Sequence, residues 1–235
     1  MKAYLKAQAE KMGVPMTDAQ ADAFCAYHDR LTAANREMNL TRVGEDAQEA
    51  VDRNYLDSLT ILPFLGGVST LIDVGTGAGF PGVPVAIMRP DIHVTLMDAL
   101  GKRVAFLKEV VAALGLNADC VHARCEDAAK KPEFRDAYDV ACARAVAETN
   151  VLSEWLLPFV KPGGRMLALK GPMAAEEAAR AQAALSQLNG RLVRVCPVSV
   201  PGRDWDHRVI EILKTGATPD RFPRRAGIAE KRPLK

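Results

Sequence analysis

The sequence predicts a doubly wound α/β fold, in which helices cover both faces of a mostly parallel sheet. From Thr70 onward, short apolar runs rich in β-branched residues alternate with helical stretches, as in parallel sheets built from crossover helices. A glycine-rich loop follows the first apolar run, at the position where open α/β sheets bind their ligands. The last two runs are joined by a segment too short for a helix, so we expect a terminal antiparallel hairpin.

Residues 1–66 are predicted to form an N-terminal helical extension. Thr17 is followed three residues later by Gln20, which predicts a capping box at the start of a helix. Apolar side chains then recur at helical spacing up to Met38. A second amphipathic run follows and ends near Pro63. We expect this extension either to cap the sheet or to form a separate binding module.

Residues 67–214 are predicted to form the sheet domain, with helices between its first five strands. The predicted strands are Thr70–Val74, His93–Met97, Asp119–Ala123, Asp139–Ala143, Arg165–Lys170, Leu192–Val200 and Arg208–Leu213. The predicted helices include Lys102–Leu114, Val146–Phe159 and Ala174–Leu188. Residues 215–235 lack apolar periodicity and are rich in Arg and Lys, so we expect a disordered basic tail, with anchoring of a nucleic acid as the lesser alternative.

Composition sets limits on the class of protein. The 31 Lys+Arg against 29 Asp+Glu leave a formal net charge of +2, which is too small to indicate a nucleic-acid partner without positional evidence. Hydrophobic residues make up 49% and charged residues 26%, a balance typical of globular proteins and not of disordered or fibrous ones.

Cysteine usage and the N-terminal sequence predict a compartment. The five cysteines are scattered without a Cys-x-x-Cys pair, so the sequence predicts neither a disulfide framework nor a metal site. The first residues are charged and lack the apolar centre of a signal peptide, and no apolar run reaches membrane-spanning length. We therefore expect a cytoplasmic protein with no membrane partner.

The loop Asp73–Gly82 connects the first predicted strand to a helix, and its glycines fit two cofactors. Gly77, Gly79 and Gly82 match the dinucleotide pattern G-x-G-x-x-G, in which the helix N-terminus holds a pyrophosphate. Read from one glycine earlier, Asp-x-Gly-x-Gly-x-Gly resembles the cofactor loop of S-adenosylmethionine-dependent methyltransferases. That cofactor presents an ammonium group, which a carboxylate such as Asp73 would attract.

A second acid, Asp98, ends the second predicted strand and is placed to accept the ribose hydroxyls of either cofactor. Three observations favour the methyltransferase interpretation. They are the acid Asp73, the terminal hairpin, and Pro81, which blocks an ordinary phosphate-binding turn. A glycine turn needed only for packing is the remaining alternative. The loop and strand residues expected to bind S-adenosyl-L-methionine are Asp73, Gly75, Gly77, Gly79 and Asp98.

Six short motifs stand in the order and spacing of one bacterial family. They are Asn39-Leu40-Thr41, Leu56-Asp57-Ser58-Leu59, Asp73–Gly82, Leu100-Gly101-Lys102-Arg103, Arg144-Ala145 and Leu169-Lys170-Gly171. From Asn39 to Lys214 the chain resembles the small-subunit ribosomal RNA guanine-N7 methyltransferase G family, also called the glucose-inhibited division protein B family. The resemblance implies a Rossmann-like class I methyltransferase fold and methyl transfer to N7 of a guanine in a loop of 16S ribosomal RNA. The implied partner is that RNA or the small ribosomal subunit, and we expect a monomer.

The resemblance also implies site residues. Cofactor contacts are implied for Gly75, Phe80, Cys125, Glu126 and Arg144, with Cys125 and Glu126 beside the adenine. The candidate RNA-binding residues are Asn39, Arg53, Lys102, Arg103, Lys170, His207 and Arg208. Several of these could equally be solvated surface residues, especially Arg53, the Lys102-Arg103 helix start and the His207-Arg208 turn.

Guanine N7 already carries a free lone pair, so the reaction requires no general base and depends on alignment of N7 with the methyl group. Motifs for other targets are missing: Ala143–Val146 stands where amine methylation needs Asn/Asp-Pro-Pro-aromatic, and Cys142 lacks the proline of a nucleophilic cysteine. Arginine often grips guanine through O6 and N7 together, which would block the reacting atom. We therefore expect Arg144 or Lys170 to position the guanine through O6 or phosphate.

Other functions remain open at this point. A methyltransferase acting on a small molecule or a protein would be favoured if the face around Lys102, Arg144, Lys170 and His207 were not electropositive. A nicotinamide-dependent dehydrogenase would need a pyrophosphate at the helix that follows Gly79. A binding protein without catalysis would carry the same residues.

Overall fold

The computed structural model describes residues 1–38, 47–144 and 147–235, and the side chains of 37, 38 and 47 are left aside. Its centre is a seven-stranded sheet with the strand order β3-β2-β1-β4-β5-β7-β6. The strands are β1 (Thr70–Val74), β2 (His93–Asp98), β3 (Ala118–His122), β4 (Tyr138–Arg144), β5 (Val160–Lys170), β6 (Gly190–Val198) and β7 (His207–Lys214). β1 to β5 are parallel, while β7 runs antiparallel to both β5 and β6. The predicted doubly wound sheet and its terminal hairpin are confirmed.

Helices flank the sheet on both faces. Before the sheet lie α1 (Lys2–Lys11), α2 (Asp18–Met38), α3 (Ala47–Ala50), a π-helical turn (Val51–Leu56), α4 (Asp57–Leu59) and a 3-10 turn (Leu62–Phe64). Between the strands lie α5 (Gly82–Met88), α6 (Gly101–Leu114), α7 (Cys125–Ala128), α8 (Thr149–Leu156), a 3-10 turn (Leu157–Phe159), α9 (Ala174–Arg180) and α10 (Gln182–Gln187). A last short helix, α11 (Ile228–Lys231), follows the sheet.

Most predicted elements agree with the structure to within a few residues, and two differ. The predicted helix Ala174–Leu188 is interrupted at Ala181 and forms α9 and α10. β5 starts at Val160, ahead of its predicted start at Arg165, because Val160 already pairs with Tyr138 before the register shifts. The Pro-Gly-Gly segment between Val160 and Arg165 hides this early pairing in the sequence.

The N-terminal helices cover one face of the sheet. The predicted capping box is present: the backbone N–H of Gln20 donates to Thr17 Oγ1 at 3.2 Å, and that of Thr17 donates to Gln20 Oε1 at 2.9 Å. The fully buried side chains of α1, α2 and the π-helical turn share one apolar cluster with Leu71 and Leu96 of the sheet. The extension therefore caps the sheet, whereas its division from the sheet domain at residue 66 stays a prediction.

The opposite face packs against α8, α9, α10 and the C-terminal residues. Neighbouring positions on β1 show the alternation of a two-sided sheet, with Leu71 in the first cluster and Ile72 in the second. Phe222 and Ala229 also belong to the second cluster and are 3% and 2% exposed. The expectation of a disordered tail is wrong, since residues 215–235 pack against the domain.

The tail was hard to predict because its anchors are single residues whose partners lie far away in sequence. Arg224 donates to Glu154 of α8 through both its backbone and its guanidinium, and Arg135 donates to the carbonyl oxygens of Thr218 and Phe222. These bonds have no periodic signature. Within the described ranges, no helix combines the length and apolar character needed to span a membrane.

Candidate active site

The predicted glycine loop lies at the carboxyl edge of the sheet, directly after β1. Because β1 is flanked by β2 and β4, the loop has Asp98 on one side and Arg144 on the other. Three chain segments that are distant in sequence therefore meet at one edge, as expected for a ligand site in this class of sheet.

Asp73 holds the glycine loop together through hydrogen bonds. It is fully buried, and its Oδ2 accepts hydrogen bonds from Thr76 Oγ1 at 2.6 Å and from the backbone N–H of Gly82 at 2.8 Å. The Gly82 N–H at the start of α5 is thus bound by a side chain and is not available to a phosphate. This geometry argues against the dinucleotide interpretation.

Burial also changes the ionisation of Asp73. Loss of water raises its pKa to about 6, against the lowering effect of the bonds from Thr76 and Gly82. Its other oxygen, Oδ1, has no hydrogen-bond partner among the described residues. A buried carboxylate oxygen without a donor is suited to a cationic ligand group.

Two loop glycines are required by the backbone. Gly77 has φ +64°, and its N–H donates to Asp98 Oδ2 at 2.9 Å. Gly79 has φ +112°, and a Cβ there would lie 2.8 Å from the Tyr27 hydroxyl oxygen. That hydroxyl donates to the carbonyl of Ala78 at 2.5 Å, so a helix of the N-terminal extension fixes the loop.

A cavity of about 170 Å³ opens beside the loop, between the ends of β1, β2 and β3. Four predicted cofactor residues line it: Gly75, Asp98, Cys125 and Glu126. Asp98 is 4% exposed; its carboxylate accepts the N–H of Leu100 at 2.9 Å and the guanidinium of Arg103 at 3.3 Å, besides Gly77. A carboxylate has about four acceptor positions, so Asp98 retains capacity for a hydroxyl group.

Cys125 and Glu126 form the far wall of this cavity. The Cys125 thiol donates to Glu126 Oε2 at 3.4 Å, and burial raises the pKa of the thiol well above its ordinary value. Glu126 Oε1 accepts the backbone N–H of Gly227 at 3.1 Å, which joins the C-terminal segment to the wall. The thiol is therefore neutral and contributes packing and not nucleophilic chemistry.

A larger cavity of about 550 Å³ lies on the other side of the loop, at the ends of β4, β5 and β7. Arg144 lies at its base, where the guanidinium donates to the carbonyl of Arg53 at 2.7 Å and to Asp57 Oδ2 at 3.2 Å. The same guanidinium sits 4.8 Å from the ring centre of Phe80, which is 5% exposed. Phe80 therefore supports Arg144 from the loop.

The charges of this cavity are largely paired. Its basic residues are Arg53, Arg144, Lys170, His207 and Arg208, and its acidic ones are Asp57, Glu148 and Glu177. Lys170, 7% exposed, donates to the carbonyl of Ala147 and to Glu177 Oε2 at 2.6 Å. His207 Nδ1 lies 2.8 Å from Asp57 Oδ1. The cavity is therefore only mildly basic, and Lys170 would have to leave Glu177 to bind a phosphate.

The remaining predicted RNA-binding residues are dispersed. Arg103 binds Asp98 of the smaller cavity, and Lys102 is exposed in a separate groove next to Arg30 of α2. Arg208 pairs with Asp206 at 2.9 Å near the larger cavity. Asn39, and Ala145 beside Arg144, lie outside the described residues.

Three residues that the site uses were not predicted from the sequence. They are Tyr27, which bonds the glycine loop, Asp57, which links Arg144 to His207, and Trp205 at the rim of the larger cavity. Trp205 stacks on His207 with ring centres 5.2 Å apart, and the Arg53 guanidinium lies 4.8 Å from its ring. Asp57 stands within the Leu56-Asp57-Ser58-Leu59 motif, so its position carried a signal although no role followed from it.

Comparison with solved structures identifies the fold. A methyltransferase from Aquifex aeolicus, described as dependent on S-adenosylmethionine, superposes with a TM-score of 0.52 over 78% of this chain and 98% of that chain, at 20% sequence identity. The shared architecture is the Rossmann-like fold found in class I S-adenosylmethionine-dependent methyltransferases.

Sequence comparison then identifies the family. Residues 20–203 match the rRNA small subunit methyltransferase G family. A relative from Clostridium perfringens (strain 13) named ribosomal RNA small subunit methyltransferase G is 42% identical over 234 residues, which cover 98% of each chain. A relative of the same name from Alkaliphilus oremlandii is 42% identical over 238 residues, covering 100% of this chain and 99% of the relative. The chain belongs to this family.

Proposed function

We propose that the protein transfers a methyl group from S-adenosyl-L-methionine to N7 of a guanine in a loop of 16S ribosomal RNA. Membership of the rRNA small subunit methyltransferase G family supports this reaction. The structural observation that supports it is the pair of cavities on either side of the glycine loop, one suited to an adenosine and the other large enough for a base.

The residues of the smaller cavity and the loop fit this cofactor. Asp98 would accept a ribose hydroxyl, and Cys125 and Glu126 would border the adenine. Asp73, whose Oδ1 has no donor among the described residues, would attract the ammonium group. When bound, S-adenosylmethionine supplies a methyl group on a positively charged sulfur, which keeps the electron pair of the breaking bond.

The larger cavity would hold the guanine. Asp57 and Phe80 fix the guanidinium of Arg144, and its remaining donor capacity can bind O6 while N7 stays free. The guanine ring becomes positively charged as N7 forms its new bond, and the carboxylates of Asp57, Glu148 and Glu177 line the cavity to stabilise that charge. Positioning and electrostatics are the contributions of the protein, since N7 has no proton to lose.

The rim of the larger cavity suits an unpaired RNA segment. Trp205 with Arg53 and His207 combines an aromatic surface with basic groups, the combination by which proteins hold splayed bases and phosphates. RNA helices hide N7 in a deep, narrow groove, so the target guanine has to lie in a loop or be splayed out.

The test is methylation of RNA from a strain that lacks the gene. Methyl-labelled S-adenosylmethionine is incubated with that 16S RNA or with its small subunits, and N7-methylguanine is located by borohydride–aniline cleavage. We expect one new cleavage site, and we expect Arg144→Ala to abolish it because the guanine loses its fixed donor. Arg191→Ala is the matched control, since Arg191 is exposed and pairs with Leu213 at the opposite edge of the sheet. Cofactor binding without transfer to either form of the RNA would contradict the proposal.

A further inference from the structure

The C-terminal segment, residues 215–235, forms part of the smaller cavity. Gly227 and Glu230 line that cavity together with Gly75, Asp98 and Glu126. The segment that the sequence predicted to be a free tail thus lies at the same site as the glycine loop.

Buried polar contacts hold this segment in place. The Arg224 guanidinium donates to both oxygens of Glu154, at 2.9 Å from Nε to Oε1 and 2.6 Å from Nη2 to Oε2, and the Glu154 side chain is 1% exposed. Lys214 Nζ donates to Thr218 Oγ1 at 2.5 Å, and Arg135 donates to the carbonyl of Thr218 at 2.7 Å. Fork-like arginine–carboxylate pairs of this kind fix orientation as well as distance.

A hydrogen bond joins the C-terminal segment to Glu126, one of the two residues predicted to lie beside the adenine. The Gly227 N–H donates to Glu126 Oε1 at 3.1 Å, and Gly227 has φ +76°, a conformation that favours glycine. The other oxygen of Glu126 accepts the Cys125 thiol, so each oxygen of Glu126 already holds one donor. Glu230 is a second acidic residue that lines the same cavity, and it is exposed at the surface.

A tryptophan in the wall adds an independent observation. Trp155 of α8 lines the cavity and is 7% exposed, and its buried indole Nε1 has no hydrogen-bond acceptor among the described residues. A buried donor without a partner is costly, and a ring nitrogen of a purine is an acceptor that could satisfy it. The cavity is thus lined by an acidic residue and by a tryptophan with an unpaired donor, the two kinds of group that an adenine edge can bond.

We propose that the C-terminal segment is the outer wall of the adenine site and that the Glu230 carboxylate accepts a hydrogen bond from the exocyclic amine of adenine. The segment would then set the preference for adenine over a purine that carries a carbonyl at the same position, because two oxygen acceptors repel each other. This inference rests on the proposed use of S-adenosylmethionine, and it adds a specificity residue outside the loop and strand ends.

The test compares two ligands by calorimetry: S-adenosylhomocysteine and S-inosylhomocysteine, in which a carbonyl replaces the adenine amine. We expect the unmodified protein to prefer the adenosyl ligand. Glu230→Gln should reduce that preference about tenfold, because its neutral amide oxygen is a weaker acceptor for the adenine amine than a carboxylate and its amide N–H can donate to the inosyl carbonyl. Glu10→Gln, an equal change at an exposed position of α1, should leave both affinities unchanged.

Each of three results would contradict part of this inference. Unchanged preference in Glu230→Gln would overturn the role of Glu230, and the proposed function would stand. Hydrogen exchange provides a second readout that needs no variant. The adenosyl ligand should slow exchange of the backbone amides in residues 224–231. Unchanged exchange would contradict the proposal that the C-terminal segment forms the outer wall of the adenine site. If the unmodified protein bound neither ligand, the proposed function and this inference would both be wrong.

Discussion

The two carboxylate oxygens of Asp73 have different surroundings, and this difference determines what the residue contributes. Oδ2 accepts bonds from Thr76 and Gly82 and thereby shapes the loop, whereas Oδ1 has no partner within the described part of the chain. Burial raises the pKa of the carboxyl to about 6, so its charge changes within an accessible pH range.

Binding of S-adenosylhomocysteine should therefore depend on pH. As pH falls through about 6, Asp73 becomes protonated and loses its attraction for the ligand ammonium, so affinity should decrease on the acid side. Affinity should decrease again at alkaline pH, where the amino group of the ligand loses its own proton. Calorimetric titration across this range should give a bell-shaped profile.

The Asp73→Asn variant isolates the acid limb of that profile. The amide oxygen of Asn can still accept the bonds from Thr76 and Gly82, but the side chain carries no charge at any pH. We expect weaker binding and no decrease in affinity as pH falls through about 6. If affinity still decreased at low pH in Asp73→Asn, that decrease would come from another titrating group.

Among the elements, those with a signal inside one segment could be predicted from the sequence. The capping box at Thr17 and the alternation of β1 depend on residues a few positions apart, and both are present in the structure. The C-terminal segment could not be predicted in this way. Its order depends on Glu154 and Arg135, and neither lies near it in sequence.

The capping box gives a prediction for helix α2. Thr17→Ala removes the hydroxyl that accepts the Gln20 N–H, so this N–H in the first turn of the helix loses its hydrogen bond. The free energy of unfolding should decrease by about 1 kcal/mol. Chemical denaturation would measure this change, and Thr17→Ser, which keeps the hydroxyl, should unfold like the unmodified protein. Equal destabilisation by both variants would show that the hydroxyl bond is not the cause.

At the scale of the whole molecule, the site depends on contacts between distant parts of the chain. Tyr27 bonds the loop carbonyl of Ala78, Asp57 pairs with Arg144, and Gly227 bonds Glu126. The glycine loop that contains Ala78, together with Arg144 and Glu126, was predicted from the sequence to form part of the site. The partners could not be predicted, because only the folded chain brings them within bonding distance.

These contacts predict that the N-terminal extension and the sheet unfold together. Leu5, Phe24 and Tyr27 of the extension share one continuous apolar cluster with Leu71 and Val209 of the sheet, so neither part can separate without exposing the core of the other. Scanning calorimetry should show a single transition whose van't Hoff and calorimetric enthalpies agree. S-adenosylhomocysteine should raise the midpoint of that whole transition, since the ligand binds only the folded state. Two transitions, with only one shifted by the ligand, would instead establish the extension as an independent domain.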